Sequence, residues 1–220
     1  MSKDRPTTVR LVLASGNPGK IEELRDTLAG RPIEVVGAAD VGVTDFPPED
    51  GASYEANALV KAAHVATHTG LPALADDSGL EVDALHGQPG LHSARFGGPG
   101  LTDRERVAHL LAKMRRVPAA ERTARFVSVL ALAVPSGEVR TFEGRCEGTI
   151  RTGPVGAGGF GYDPVFHSAD LDRTFGEVGP EQKRRVSHRA RAMAALLAWL
   201  DDPEAASVLQ RAEPFRRTDR

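Results

Sequence analysis

Two adjacent carboxylates, Asp76 and Asp77, close the apolar run Leu74-Ala75 and lead into Ser78-Gly79-Leu80. Aspartates at the end of an apolar segment can bind a hard cation or take a proton from water. Successive side chains on a strand point to opposite faces, so the two cannot serve one centre equally: one braces the turn and the other faces a cleft. From these residues alone, a simple polar turn is the alternative. A second candidate is Ser15-Gly16-Asn17-Pro18-Gly19-Lys20, which follows the apolar and β-branched residues 9–14. Asn17 suits a helix N-cap and Pro18 the first helical position. Such a junction aims backbone N–H groups and the positive end of a helix at one spot, a setting for phosphate. Lys20 in that first turn opposes the helix dipole, which points to a ligand role. The spacing is not that of a Walker loop.

The elements that must hold these residues follow from periodicity. Ile21, Leu24 and Leu28 form a helical stripe that Gly30 ends. Residues 33–36 read as a strand, and 37–52 as a loop carrying Asp45, Glu49 and Asp50. Residues 53–69 read as a helix that buries Ala56, Leu59, Val60, Ala63 and Ala66, with Glu55, Asn57 and Lys61 able to reach past its start. His64 and His68 stand one turn apart without a third ligand, so they read as exposed or structural. Residues 72–75 and 80–85 read as strands separated by a Ser78-Gly79 turn. Thr102-Asp103-Arg104-Glu105 is a capping box. Residues 124–134 and 139–150 form a hairpin about a turn at 136–138, so the sheet is not purely parallel. The glycine-rich stretch 151–164 contains Phe160-Gly161-Tyr162-Asp163-Pro164, either a base-stacking platform or a plug for the core. Residues 174–178 and 180–184 read as helical turns. Ser187 caps a helix over 188–200 that turns Ala190, Met193, Ala194 and Leu197 inward.

The 220 residues are 40% hydrophobic and 26% charged, an ordinary globular composition with a formal charge of −2. That charge gives no push toward nucleic acid or membrane, and no apolar run approaches the length of a bilayer span. The single cysteine, Cys146, excludes an internal disulfide, fits a reducing cytoplasm and reads as a small core residue. Without a cysteine–histidine cluster, any metal is a hard cation on carboxylates, such as magnesium. Charge is uneven: residues 40–55 hold five acids and no Lys or Arg, and residues 181–191 hold five bases against one acid. These are two solvated surfaces, or the two sides of a site for a metal and a polyanion. Residues 1–8 read as a disordered N-terminus, 9–200 as a single α/β domain, and 201–220 as a mobile tail whose removal after Pro203 is expected to leave activity unchanged.

Taken in order, six blocks resemble the inosine triphosphate pyrophosphatase family. They are Ser15 to Lys20; Glu49 and Gly51 with Glu55, Asn57, Ala58 and Lys61; Ala75 to Leu80; Pro89-Gly90 with Ser93-Ala94-Arg95; Gly158 to Pro164; and Lys183 with Ser187-His188-Arg189. The resemblance covers residues 9–200. It implies an elongated mixed β-sheet flanked by helices, with two lobes and a central nucleotide-binding cleft. It also implies a magnesium-dependent homodimer in the cytoplasm that cleaves ITP, dITP and XTP to the monophosphate and pyrophosphate, with no nucleic-acid or membrane partner. By the same resemblance, Asp77 is the proton acceptor and, with Glu49, a metal ligand. Ser15, Gly16, Asn17, Pro18, Gly19, Lys20, Lys61 and Ser78 face the triphosphate. Phe160, Gly161, Tyr162, Asp163, Lys183, His188 and Arg189 face the base and the rest of the nucleotide. A nucleotide-binding module without turnover is the alternative from another class, and the Asp77–Glu49 pair argues against it.

Overall fold

The computed structural model describes residues 8–210. In chain order the elements are β1 (Val9–Leu13), α1 (Pro18–Thr27), β2 (Ile33–Gly37), α2 (Tyr54–Thr69), β3 (Ala73–Val82), α3 (Asp103–Lys113) and β4 (Thr123–Ala133). There follow β5 (Val139–Ile150), β6 (Phe166–Ser168), β7 (Arg173–Thr174), α4 (Pro180–Val186), α5 (His188–Leu200) and α6 (Pro203–Gln210). The strands form one mixed seven-stranded sheet in the order β2-β1-β3-β4-β5-β6-β7. β1 runs parallel to both β2 and β3, while β5, β6 and β7 pair antiparallel. The described chain forms two compact units. One comprises residues 8–77, 130–142 and 196–210; the other comprises Ser78–Val129 and Glu143–Ala195. These units make up the span that reads as one domain over 9–200.

In the first unit, the chain leaves β1 toward β2 on one side and returns from β2 to β3 on the other. Right-handed crossovers in opposite directions place α1 and α2 on opposite faces of the sheet. The α2 side is packed by Val12 and Ala14 after β1, Ala73 and Ala75 of β3, and Ala58, Ala62, Val65 and Ala66 of α2. Small residues on both partners let helix and sheet approach closely. By alternation, Leu11, Leu13 and Leu74 are buried toward the other face. In the second unit, Leu80, Val107, Leu110, Met114, Phe126, Phe166 and Phe175 form the centre of a separate core. Cys146 is fully buried in that core, and burial pushes its thiol pKa up, so it is a packing residue, as expected.

Several local expectations are corrected. Ser78-Gly79 is not a turn: β3 runs unbroken through it, its β1 pairing ending at Leu74 and its other neighbour in the sheet being β4, and the extended sheet setting outweighs the turn preference of the dipeptide. The buried face of α2 is Tyr54, Asn57, Ala58, Lys61, Ala62, Val65 and Ala66, whereas Val60 is 49% exposed. Two polar residues in the buried stripe disguise it. The buried face of α5 is His188, Ala192 and Leu196, one turn apart, and Ala194 is exposed. A Cβ at Gly144 would collide with the His188 carbonyl and the Ala192 N, so helix backbone lies directly on β5 there. Residues 174–178 are not helical, because their backbone bonds go elsewhere: Phe175 N donates to Phe166 O, and Thr174 N to Glu177 Oε2.

The expected tail is helical over Pro203–Gln210, with Ala205, Val208 and Leu209 buried. Pro203, a breaker at most positions, is favourable at the first position of a helix, and Asp202 Oδ1 accepts the Glu204 N–H at 2.9 Å. Residues 1–7 and 211–220, the rest of the two expected disordered ends, lie outside the described residues. Truncation after Asp202 therefore removes packed surface. Equilibrium denaturation should show a loss of about 3 kcal/mol or more, and Leu209→Ala alone should cost about 2–5 kcal/mol.

Candidate active site

The parallel register sets the first cluster. Leu13 of β1 pairs with Leu74 of β3, so the loop after β1 leaves the sheet beside the two aspartates. The mouth beyond the carboxyl ends of parallel strands is where open α/β sheets bind ligands. Asn17 caps α1: its Oδ1 accepts the N–H groups of Gly19 (2.9 Å) and Lys20 (3.4 Å). Ser15 Oγ accepts the Asn17 N–H at 3.2 Å. The amides expected to cradle phosphate thus donate to Ser15 and Asn17. Gly16 leaves open space where a side chain would stand. From the first turn of α1, Lys20 Nζ reaches Asp76, with Oδ1 at 2.9 Å and Oδ2 at 2.8 Å.

Strand alternation sends the two aspartates apart. Asp76 is 7% exposed and turned toward α1, where it meets Lys20. Asp77 is half-buried on the α2 side, where its Oδ2 accepts the Asn57 amide at 2.9 Å. One turn further along α2, Lys61 Nζ donates to Glu49 Oε1 and to the Asp76 carbonyl, both at 2.6 Å. The first unit thus gathers Lys20, Lys61, Glu49, Asp76 and Asp77 in one network. Sequence reasoning took Asp76 and Asp77 as two carboxylates of different duty without finding the partner of either, and had Asn57 only reaching past the start of its helix. Polar residues recurring at positions 57 and 61, within a helical stripe otherwise made of Tyr, Ala and Val, are the signal that would have found them.

The donor set is all oxygen, which suits magnesium. Among the described residues there is no group of three or more His, Cys, Asp or Glu that could hold a metal ion, so a cage built from protein ligands alone does not fit. Two reachable carboxylates do fit, because magnesium commonly takes one or two and fills the rest of its shell with water and phosphate. Glu49, with its side chain 42% exposed, and half-buried Asp77 meet that condition. Asp76 is committed to Lys20. His64 and His68 are spent on backbone, with His64 Nε2 against Asp45 O and His68 Nδ1 against His64 O.

The second cluster lies in the second unit. Asp163, 2% exposed, accepts the Phe160 N–H at 2.9 Å and the Lys183 Nζ at 2.5 Å. Gly159 has φ +74°, and a Cβ there would overlap the Asp163 carboxylate, so glycine is required for the loop to close over it. Lys183 Nζ also lies 4.6 Å from the Phe160 ring centroid and 5.1 Å from that of Phe175. The Gly161 N–H donates to Asp103 Oδ2 at 2.7 Å, which ties the loop to the first turn of α3. The two aromatics of the loop differ: Phe160 is 65% exposed, while Tyr162 is buried and donates its hydroxyl to Ser93 O at 3.0 Å. Burial pushes the Tyr162 hydroxyl pKa up, so it stays a neutral donor. A pocket of about 500 Å³ opens beside Phe160, between α3 and the loop. His188 is buried with its ring stacked on Phe126 at 4.8 Å, Arg189 follows it half-buried, and Ser78 is half-buried in β3.

Known proteins resemble this chain in sequence and in fold. The model of the Ham1 family matches residues 11–199. A dITP/XTP pyrophosphatase of Thermus thermophilus is 53% identical over 196 residues, covering 89% of this chain and 94% of that protein. One from Symbiobacterium thermophilum is 52% identical over 193 residues, covering 87% and 94%. Among solved structures, a HAM1 protein of Coxiella burnetii superposes with a TM-score of 0.83 at 38% identity, covering 87% of this chain and 98% of that one. The nucleoside-triphosphatase / dITP/XTP pyrophosphatase of Mycobacterium abscessus does so with a TM-score of 0.75 at 47% identity, covering 86% and 99%. The second cluster makes a test of its own. Lys183→Ala leaves a buried carboxylate without its cation and should cost about 3 kcal/mol in a denaturant melt. Arg184→Ala and Arg185→Ala, on the exposed face of α4, should stay within about 0.5 kcal/mol of wild type.

Proposed function

The chain belongs to the Ham1 family, and from that premise we propose that it hydrolyses deaminated purine nucleoside triphosphates, ITP, dITP and XTP, to the monophosphate and pyrophosphate. The observation that carries this reading is the cluster of Lys20, Lys61, Glu49, Asp76 and Asp77, joined with Asn57 where the loop after β1 passes the middle of β3. It combines cations for a polyphosphate with carboxylates for a proton and a hard metal. The relatives named dITP/XTP pyrophosphatase support the choice of substrate.

In this reading water attacks the α-phosphorus, the bond to the β-phosphate bridging oxygen breaks, and pyrophosphate leaves. Asp77 takes the proton lost by the water. A carboxylate is a weak base, so positioning and charge neutralisation carry much of the rate. Glu49 and Asp77 would hold magnesium, which neutralises phosphate charge and acidifies water when bound. Lys20 exchanges its Asp76 partner for phosphate oxygens, and Ser15 to Gly19, Ser78 and Lys61 complete the phosphate side.

Base choice falls to the second cluster. Phe160 offers an exposed ring for stacking. Lys183 and Arg189 are obligate donors that suit the 6-keto oxygen of hypoxanthine or xanthine, with Gly161, Tyr162, Asp163 and His188 shaping the site. Adenine presents a donor there, and donors left unpaired can discriminate by about 10⁴-fold. The family reading further takes the protein as a homodimer in the cytoplasm, where the nucleotide pool is held. No described helix is long and apolar enough to cross a membrane.

Pyrophosphate release from ITP, dITP, XTP, GTP and ATP, with magnesium and with EDTA, tests the reading. The first three should exceed GTP and ATP by at least about 100-fold in kcat/KM, and EDTA should abolish all turnover. Well-folded protein that cleaves none of them would overturn the proposal and leave a nucleotide-binding module. Lys20→Ala should lower kcat/KM about 10- to 100-fold by the same factor for every base. A base-dependent loss would remove Lys20 from the phosphate side.

A further inference from the structure

Asn57 is 3% exposed and sits in the first turn of α2, a helix capped by Ser53 through the Ala56 N–H at 3.0 Å. Its two amide atoms do different work. Oδ1 accepts the Gly51 N–H at 2.8 Å, and Nδ2 donates to Asp77 Oδ2 at 2.9 Å. Neither contact survives a flip, since the oxygen must face an N–H and the nitrogen a carboxylate. A Cβ on Gly51 would lie 2.6 Å from Asn57 Oδ1 and 3.0 Å from the Ala56 Cβ. The acidic segment 49–51 therefore passes directly over the start of α2. Lys61 holds the Glu49 side chain from the next turn.

From this geometry we infer that Asn57 is a positioning residue, which fixes the Asp77 carboxylate in register with residues 49–51 and so governs turnover rather than nucleotide binding. The inference rests on the pyrophosphatase reading of the site. Its physical basis is that Asp77 and Glu49 arrive on separate segments, a strand and a loop. Lys61 ties the Glu49 side chain to the strand backbone at Asp76, and Asn57 is the bridge that reaches the Asp77 carboxylate itself. Displacing a reacting group by about 1 Å costs on the order of 10²-fold in rate.

The discriminating variant is Asn57→Asp. It keeps an acceptor for the Gly51 N–H and removes the donor to Asp77. Wild type and N57D are assayed with dITP and magnesium for kcat and KM, and calorimetry gives the affinity for a non-hydrolysable dITP analogue. The expected result is a kcat lower by about 10- to 100-fold, with KM and analogue affinity within about threefold of wild type. A kcat within about threefold of wild type, or a loss of analogue binding equal to the loss of kcat, would overturn the assignment. If N57D does not fold, Asn57→Ser removes both contacts without adding charge, and the same two results decide. Wild type inactive on dITP overturns the pyrophosphatase reading and this inference together. Active wild type beside an unimpaired variant overturns this inference alone.

Discussion

The alternation of side chains along β3 is the constraint on which the candidate site depends. Two carboxylates next to each other would repel strongly if both faced one centre. The pleat separates them, and the topology supplies each with a partner from a different helix. Asp76 faces α1 and takes Lys20, and Asp77 faces α2 and takes Asn57. The opposite placement of α1 and α2 follows from β2 and β3 flanking β1. The strand order is thus itself a device for giving neighbouring acids different surroundings and different roles.

What was legible in the sequence was what is encoded locally. The Asn17 cap, the Thr102 capping box, the turn before β5 and most strand runs depend on residues a few positions apart and are present; the run expected over 80–85 is strand only to Val82, and Asp83–Leu85 form a 3-10 turn. What was hidden depends on partners far along the chain. Lys20 and Asp76 are 56 residues apart, and no local rule pairs them. The faces of α2 and α5 were misassigned because hydrophobic periodicity counts Asn57, Lys61 and His188 as outward. Each is buried because a distant group receives it: Asp77, Glu49 and the Phe126 ring. The Ser78-Gly79 turn was inferred from a dipeptide whose fate its strand neighbours decide.

The loop around Phe160 shows the same economy in the second unit. Asp163 serves as anchor for the Phe160 N–H and as counter-charge for Lys183. Gly159 allows the chain to fold that tightly over the carboxylate. With Tyr162 turned inward and Phe160 outward, the two aromatics of one short motif divide into a buried foundation and an exposed ring.

The polar stripe on α2 bears on how this protein can be engineered. Asn57 and Lys61 are buried on a face whose other members are Tyr, Ala and Val. Replacing buried ionic groups by apolar residues of similar volume is often neutral or stabilising. A redesign guided by melting temperature alone would therefore be drawn to Leu or Met at these two positions. It would be selecting a sturdier scaffold whose acidic groups had lost their bearings. Consensus or computational hardening of this chain is better directed at the exposed positions of α2, such as Val60 and Ala63, where nothing chemical is held.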